Sequence, residues 1–325
     1  ITDNRDNSEK IRIFAKTIPQ HIIMGKYINP FTDIGFKRIF GQELSRPLLL
    51  DFLNNLLKGE RVIEEITFLD KEQPAEFEHG RSLIYDIFCK TDSGEHIIVE
   101  MQNREQPYFK KRSIYYTAEA IARQGERGVD WRYSISAVYF VGFLNFRLDD
   151  IGEKFRTDVA LMDIEERKLF SGDMRMIFLQ LPYFQKEAEE CTDNFERWIY
   201  VLKHMEALNR LPWTAKDPIF ERLAQISEIS ALTRDERIKY DAAIRYYRDN
   251  AHALEDAEEV GERKGWKRGH AAGVQQGMQQ GMQQGMREGM QQGFIETAKK
   301  LKAMGMSTSD IHIVTGLLPE DIDKL

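Results

Sequence analysis

The chain has 325 residues, 42% of them hydrophobic and 11% aromatic, which is enough apolar side chain for a sizeable core. At about 150 residues per domain, that length suggests roughly two structured units. A 30% charged fraction carrying both signs excludes collagenous, mucin-like and wholly disordered classes. The formal net charge of −7 excludes a uniformly basic nucleic-acid coat, so any nucleic-acid site is a local basic surface on an acidic body. The two cysteines, Cys89 and Cys191, have no C-x-x-C partner, which argues against a disulfide framework or a structural zinc and for a reducing compartment. The longest apolar stretch, 135–146, is too short to span a bilayer, and the polar first residues lack a signal-peptide pattern. The expectation is a cytoplasmic protein with no membrane partner.

Residues 1–27 are weakly patterned and read as a tail. From Asp33 to Leu57 apolar residues recur at helical intervals, interrupted near Gly41 and Pro47, which predicts two helices. Three short runs rich in β-branched and aromatic residues follow at 62–70, 82–90 and 96–102. The last two are joined by the turn formers Asp92, Ser93 and Gly94, so they predict a β-hairpin. Pro107 opens a helical segment through Gln124, and 132–143 returns to strand character. Further β-like material lies at 174–184. The fold class is therefore α/β (α+β), with a central mixed sheet flanked by helices over 28–185.

Beyond 185 the pattern is helical. Amphipathic helices are predicted at 195–208, 218–229 and 233–250, the last with Thr233 and Glu236 at capping-box spacing, giving a helical region over 186–260. From Gly261 to Gly293 a glycine recurs every four residues, and Met278, Met282, Met286 and Met290 each follow one. On an α-helix such a stripe turns by roughly 40° per repeat, unlike a heptad seam. Nine glycines cost a lone helix about 1 kcal/mol each relative to alanine. Two readings stay open: a flexible tether, or a close-packed self-association element that makes the chain a homo-oligomer. Residues 294–325 read as short helical pieces, with Ser307 and Asp310 at capping-box spacing.

The chemistry concentrates between Asp86 and Gln102. In a strand, Glu100 and Gln102 share a face about 7 Å apart, while Ile97, Val99 and Met101 point to the opposite, core-facing side. The hairpin brings Asp86 near Glu100. Two close carboxylates repel each other unless one is protonated or a cation lies between them, and oxygen ligands on a rigid sheet suit Mg²⁺. The alternative is a pair of ordinary solvent-facing residues balanced by Arg81 or Arg104.

The string Asp86, thirteen residues, then Glu100-Met101-Gln102 resembles the D-(x)n-(D/E)-x-K core of the PD-(D/E)xK nuclease superfamily, in a helix, three-strand, helix, strand order like that superfamily's. More closely, TDIGFKRIFG (32–41), FLNNLL (52–57), YDIFCKTDSGEHIIVEMQ (85–102) and KRSIYYTA (111–118), followed by the glycine tract, resemble the recombination-promoting nuclease/transposase family. The resemblance implies a restriction-endonuclease-like core and a metal-dependent DNA endonuclease that hydrolyses phosphodiester bonds in DNA recombination or mobile-element processes. It implies Asp86 and Glu100 as ligands of Mg²⁺ (or Mn²⁺), with the backbone carbonyl of Met101 as a further ligand. Gln102 stands where the superfamily has lysine. A glutamine amide takes no proton near neutral pH, so it can orient a water or a phosphate oxygen but cannot act as a base.

Lys37 or Lys90 is the expected replacement cation. Asp33 either approaches the metal or caps its helix. Arg112 and Tyr116, four apart on one helix, match the family's Arg and Tyr positions and can grip phosphate. Over 104–132, seven basic residues stand against four acidic ones, and Arg104, Lys110, Lys111, Arg112 and Arg123 are the expected DNA contacts. Two other readings are a non-catalytic DNA- or protein-binding oligomer with a nuclease-like fold, and a transposase performing strand transfer.

Overall fold

The computed structural model describes residues 25–74, 82–106, 108–125, 132–148 and 151–325. Most of the expected N-terminal tail, Arg81, Pro107 and Arg127 lie outside them. The chain divides after Tyr247 into two compact units.

The first unit is built on a six-stranded mixed sheet in the order β1-β4-β5-β6-β8-β7. Its strands are β1 (Ile66–Phe68), β4 (Ile87–Thr91), β5 (His96–Gln102), β6 (Val138–Leu144), β7 (Arg156–Met162) and β8 (Leu169–Gln180). The short strands β2 (Glu72–Gln73) and β3 (Leu83–Ile84) pair with each other outside it. The hairpin β4–β5 is antiparallel and turns through Gly94, whose φ of +97° is a conformation that favours glycine. The pairings β5–β6 and β6–β8 are parallel, and the first needs the crossover supplied by helix α3 (Phe109–Ala122).

Two apolar layers enclose the sheet. Ile97, Val99, Val141, Phe143 and Ile177 face α1 (Asp33–Phe40), α2 (Arg46–Leu56), α4 (Asn194–His204) and α5 (Pro218–Ser227), where Phe36, Phe40, Phe52, Trp198 and Phe220 complete one aromatic-rich core. Ile98, Phe140 and Phe178 face α3, with Phe109 and Ala120. Both faces of β5 are thus covered, and the polar side of that strand is not a solvent face as its alternation implies. Helices α4 and α5 share the sheet's core instead of forming the separate helical region expected over 186–260. They do so because Trp198 and Ile199 are fully buried against sheet and helix neighbours.

Several strand expectations shift. Only Ile66–Phe68 of the 62–70 run pairs in the sheet, and the run 82–90 breaks at Asp86, with β3 turning to β2 and β4 to the sheet. The β-like segment at 174–184 is the end of β8, which starts earlier, and its partner β7 is a strand that the sequence pattern does not announce.

Helix α6 runs from Arg234 to Ala303, 70 residues, and includes the whole glycine tract. Thr233 and Glu236 form the expected reciprocal cap at its start. A Cβ added at any glycine from Gly261 to Gly293 would meet nothing within 4 Å. In the second unit, Ala298, Ile311 and Ile322 form a small core between the end of α6, α7 (Thr308–Thr315) and α8 (Pro319–Asp323). Ser307 accepts from the Asp310 N–H to cap α7, and Gly316 closes it at φ +71°. Among the described residues, no helix is long and apolar enough to cross a membrane.

Candidate active site

The hairpin register Ile87↔Val99 carries Asp86 to the position opposite Glu100. Two backbone bonds fix the pair. The Met101 N–H donates to Asp86 Oδ2 at 2.9 Å, and the Asp86 N–H donates to Glu100 Oε1 at 3.1 Å. The bend at Asp86 is what frees its N–H and lets its carboxylate reach back across the ladder. Gln102 Nε2 lies 3.5 Å from Glu100 Oε2, so the amide sits against the same carboxylate. Glu100 is only 4% exposed. The solvent-facing alternative for the pair therefore does not hold.

Electrostatics follow from that burial. Loss of water pushes the Glu100 carboxyl up to about 8, and the neighbouring Asp86 charge adds to the rise. The Asp86 carboxyl is raised too, chiefly by burial, although its bond from Met101 N–H opposes the shift. Lys37 and Arg112 both act in the opposite sense on each carboxyl, so one cation from α1 and one from α3 stand close enough to feel the pair. Tyr116 feels both carboxylates, and its ring meets Tyr85 edge-on at 5.2 Å.

Arg112 has an unusual environment for a guanidinium. Its Nη1 donates to Gln106 Oε1 at 2.7 Å, and its plane lies over the rings of Phe109 and Tyr116. Its Nη2 is buried and has no hydrogen-bond partner. A buried donor without an acceptor is costly, and this one belongs to a guanidinium whose charge both carboxyls feel.

Gly142 lies in register with Glu100 on the next strand. A Cβ there would stand 3.2 Å from Phe140 Cε1 and 3.3 Å from Phe178 Cδ1, so those rings pack tightly over the bare glycine beside the site.

Not every expected residue arrives. Lys90 is exposed near the far end of β4, paired in register with His96, roughly 13 Å along the strand from Asp86. It stands apart from the pair, whereas the charge of Lys37 is felt by both carboxyls. Asp33 does not cap α1, because Thr32 does so by accepting from the Gly35 N–H at 3.0 Å. Asp33 is instead an exposed first-turn acid paired with Lys37, and its charge raises Asp86. Arg123 is tied to Glu119 and to the Pro74 carbonyl, which makes it a brace for α3. Arg104 reaches Tyr246 Oη at 3.5 Å, Lys111 is exposed and Lys110 is half-buried.

Three neighbours have no signal in the sequence. Lys71 and Lys239 line a cleft beside Asp86 from distant parts of the chain. Arg38 is buried, donates to the carbonyls of Ile226 and Ala231, and pairs with Glu236, thereby fixing α1 with its Asp33 and Lys37. An arginine amid an amphipathic helix reads as a surface residue, and only its partners, almost two hundred residues away, show otherwise.

Among the described residues, no group of three His, Cys, Asp or Glu side chains is arranged to hold a metal ion. The donor set is two carboxylates and backbone. That set suits Mg²⁺, which is commonly bound through one or two carboxylates with waters and substrate phosphates, and does not suit a structural zinc.

A mixed sheet with a helix crossover and a crowded Asp–Glu pair across its hairpin defines the PD-(D/E)xK class. The model of the PD-(D/E)XK nuclease family transposases matches residues 30–257, and the chain belongs to that family. Membership gives it a nuclease or transposase-like role, in a superfamily that typically uses divalent metals. No curated protein and no solved structure matches the chain.

Proposed function

We propose that the protein is a Mg²⁺-dependent (or Mn²⁺-dependent) DNA endonuclease that hydrolyses phosphodiester bonds in DNA recombination or mobile-element processes. The observation that carries this reading is the buried Asp86–Glu100 pair, locked across the hairpin by two backbone N–H groups. Asp86, Glu100 and the Met101 backbone carbonyl hold the cation. When bound, the cation neutralises the phosphodiester and acidifies the attacking water.

The chain's own groups do the rest. Arg112 Nη2 donates to a phosphate oxygen, which gives that buried donor the partner it lacks. Lys37 contributes positive charge without a proton-transfer role. Gln102 orients water or a phosphate oxygen, because its amide neither gains nor loses a proton. Tyr116 walls the site beside Arg112. Lys110 and Lys111, on the same helix as Arg112, and Arg104 add phosphate contacts. The exposed Met278, Met282, Met286 and Met290 beside unobstructed glycines support assembly of the chain with copies of itself.

Supercoiled plasmid incubated with Mg²⁺ tests the reading. Wild type should nick or linearise it, and Asp86→Ala and Glu100→Ala should not, while both stay folded. Intact plasmid with folded wild-type protein refutes hydrolysis and favours the non-catalytic oligomer. Joined rather than cut products identify a strand-transfer transposase.

A further inference from the structure

The hairpin between β7 and β8 leaves the body of the first unit as an arm. At its root Val159 and Met174 pack against the core under α3, but every residue from 161 to 170 is exposed. The arm is built all the same. Leu161 pairs with Ser171 and Met162 with Leu169, past a register shift in the ladder. The Asp163 N–H donates to the Lys168 carbonyl at 2.8 Å, and the Glu166 N–H donates to Asp163 Oδ1 at 2.6 Å, which closes the turn. Five large apolar side chains stand on this arm in water: Leu161, Met162, Ile164, Leu169 and Phe170, from 46% exposed at Leu161 to 92% at Ile164. Together they leave on the order of 600 Å² of apolar surface, the upper end of the largest patch on a typical monomer.

β7 is also the last strand of the sheet. The Phe155 carbonyl accepts from the Gln180 N–H, so Phe155, Thr157 and Val159 turn their backbone groups to β8. The intervening Arg156, Asp158 and Ala160 turn theirs outward, where no further strand lies among the described residues. Such an edge is a template for pairing with another chain. Ion pairs among Arg156, Asp158 and Arg175 guard its root, whereas its far end is apolar.

We propose that the arm joins the chain to a second copy of itself, β7 antiparallel to β7 about a two-fold axis, with the apolar side chains of each arm covered by the other copy. Three observations select this occupant. The turn carries Asp163, Glu165 and Glu166 against Arg167 and Lys168, an acidic balance unsuited to DNA phosphates or an anionic lipid surface. An open edge that pairs antiparallel with its own copy matches itself and closes at two chains. Two arms supply about 1,200 Å², the lower bound of a specific interface, before the pairing of β7 adds to it. The contact is separate from the glycine helix and independent of the nuclease reading.

Hydrogen exchange of the full chain tests this, followed on peptides spanning 156–162 from concentrated protein down to dilutions at which light scattering finds single chains. In wild type the segment should exchange roughly tenfold more slowly when concentrated than when dilute. Leu169→Ser/Phe170→Ser, altered on β8 at side chains already in water, should stay folded and show the fast rate at every concentration. Wild-type rates that ignore dilution overturn the proposal, as does a folded double variant with wild-type rates. Protection that appears only when duplex DNA or anionic vesicles are added assigns the arm to those partners and overturns it too. Should the variant fail to fold, the wild-type dilution series decides alone.

Discussion

Replacing Glu100 by Gln removes one charge from the crowded pair yet keeps an oxygen to accept from the Asp86 N–H. In metal-free protein the folded state holds the Glu100 proton up to about pH 8, whereas the unfolded chain releases it near the ordinary 4.5. The folded state thus binds more protons between those values, and stability is greatest at the acid end and falls as pH rises through the window. One such shift is worth at most about 5 kcal/mol, at about 1.36 kcal/mol per pH unit. Relaxation of the folded protein and solvent reaching the pair reduce this to about 2–3 kcal/mol.

At about 2–4 °C per kcal/mol for a unit of this size, wild type in chelator should lose roughly 5–10 °C in Tm from about pH 5 to about pH 9 relative to Glu100→Gln. Differential scanning fluorimetry of both proteins at matched ionic strength measures the difference. Millimolar Mg²⁺ should restore wild type at alkaline pH and leave the variant unmoved, because a ligand bound only to the folded state raises its stability. Parallel Tm profiles for the two proteins in chelator would refute the reasoning that Glu100 is held protonated by burial beside Asp86.

Arg112→Lys keeps the charge but loses the planar fork, so it should slow plasmid cleavage by roughly tenfold to a hundredfold while leaving Mg²⁺ affinity in calorimetry close to wild type. Arg38→Ala strands two carbonyls and Glu236, and should cost about 3 kcal/mol in urea unfolding. Deleting 261–325 should lower the number of copies per particle found by light scattering, and an unchanged number would argue that the glycine helix does not assemble the chain.

The sequence is most legible where local and tertiary demands agree. The hairpin 82–90/96–102 is readable because Asp92, Ser93 and Gly94 dictate the turn while β-branched residues flank it, and from there Asp86 and Glu100 are opposed by register alone. Alternation along β5 sorts Ile97 and Val99 from Glu100 and Gln102 correctly. It cannot show that the polar side is buried as well, since that depends on α3 closing over it. Strand β7 escapes notice because its polar residues are held from far along the chain, Asp158 by Arg175 of the neighbouring strand and Arg156 by the Leu56 carbonyl and Glu60, contacts no local window contains.

The glycine tract differs for another reason. Intrinsic propensity makes a tether a fair expectation, but α6 remains one helix from Arg234 to Ala303. Lys71 and Lys239 show the limit most plainly, because 168 residues separate them and only the fold sets both beside Asp86.

The seat opposite Glu100 has a bearing on how loss-of-function screens of this protein are read. Gly142 contributes no functional group, yet a large side chain there must push aside the aromatic rings of Phe140, Phe178 and Phe109 that crowd it. A saturation library scored only on survival would rank it beside Asp86, so an inert position would pass for a participant in the chemistry. Pairing such a screen with an abundance readout would tell them apart: altered Gly142 should vanish from the cell's soluble pool, while altered Asp86 should persist there, silent.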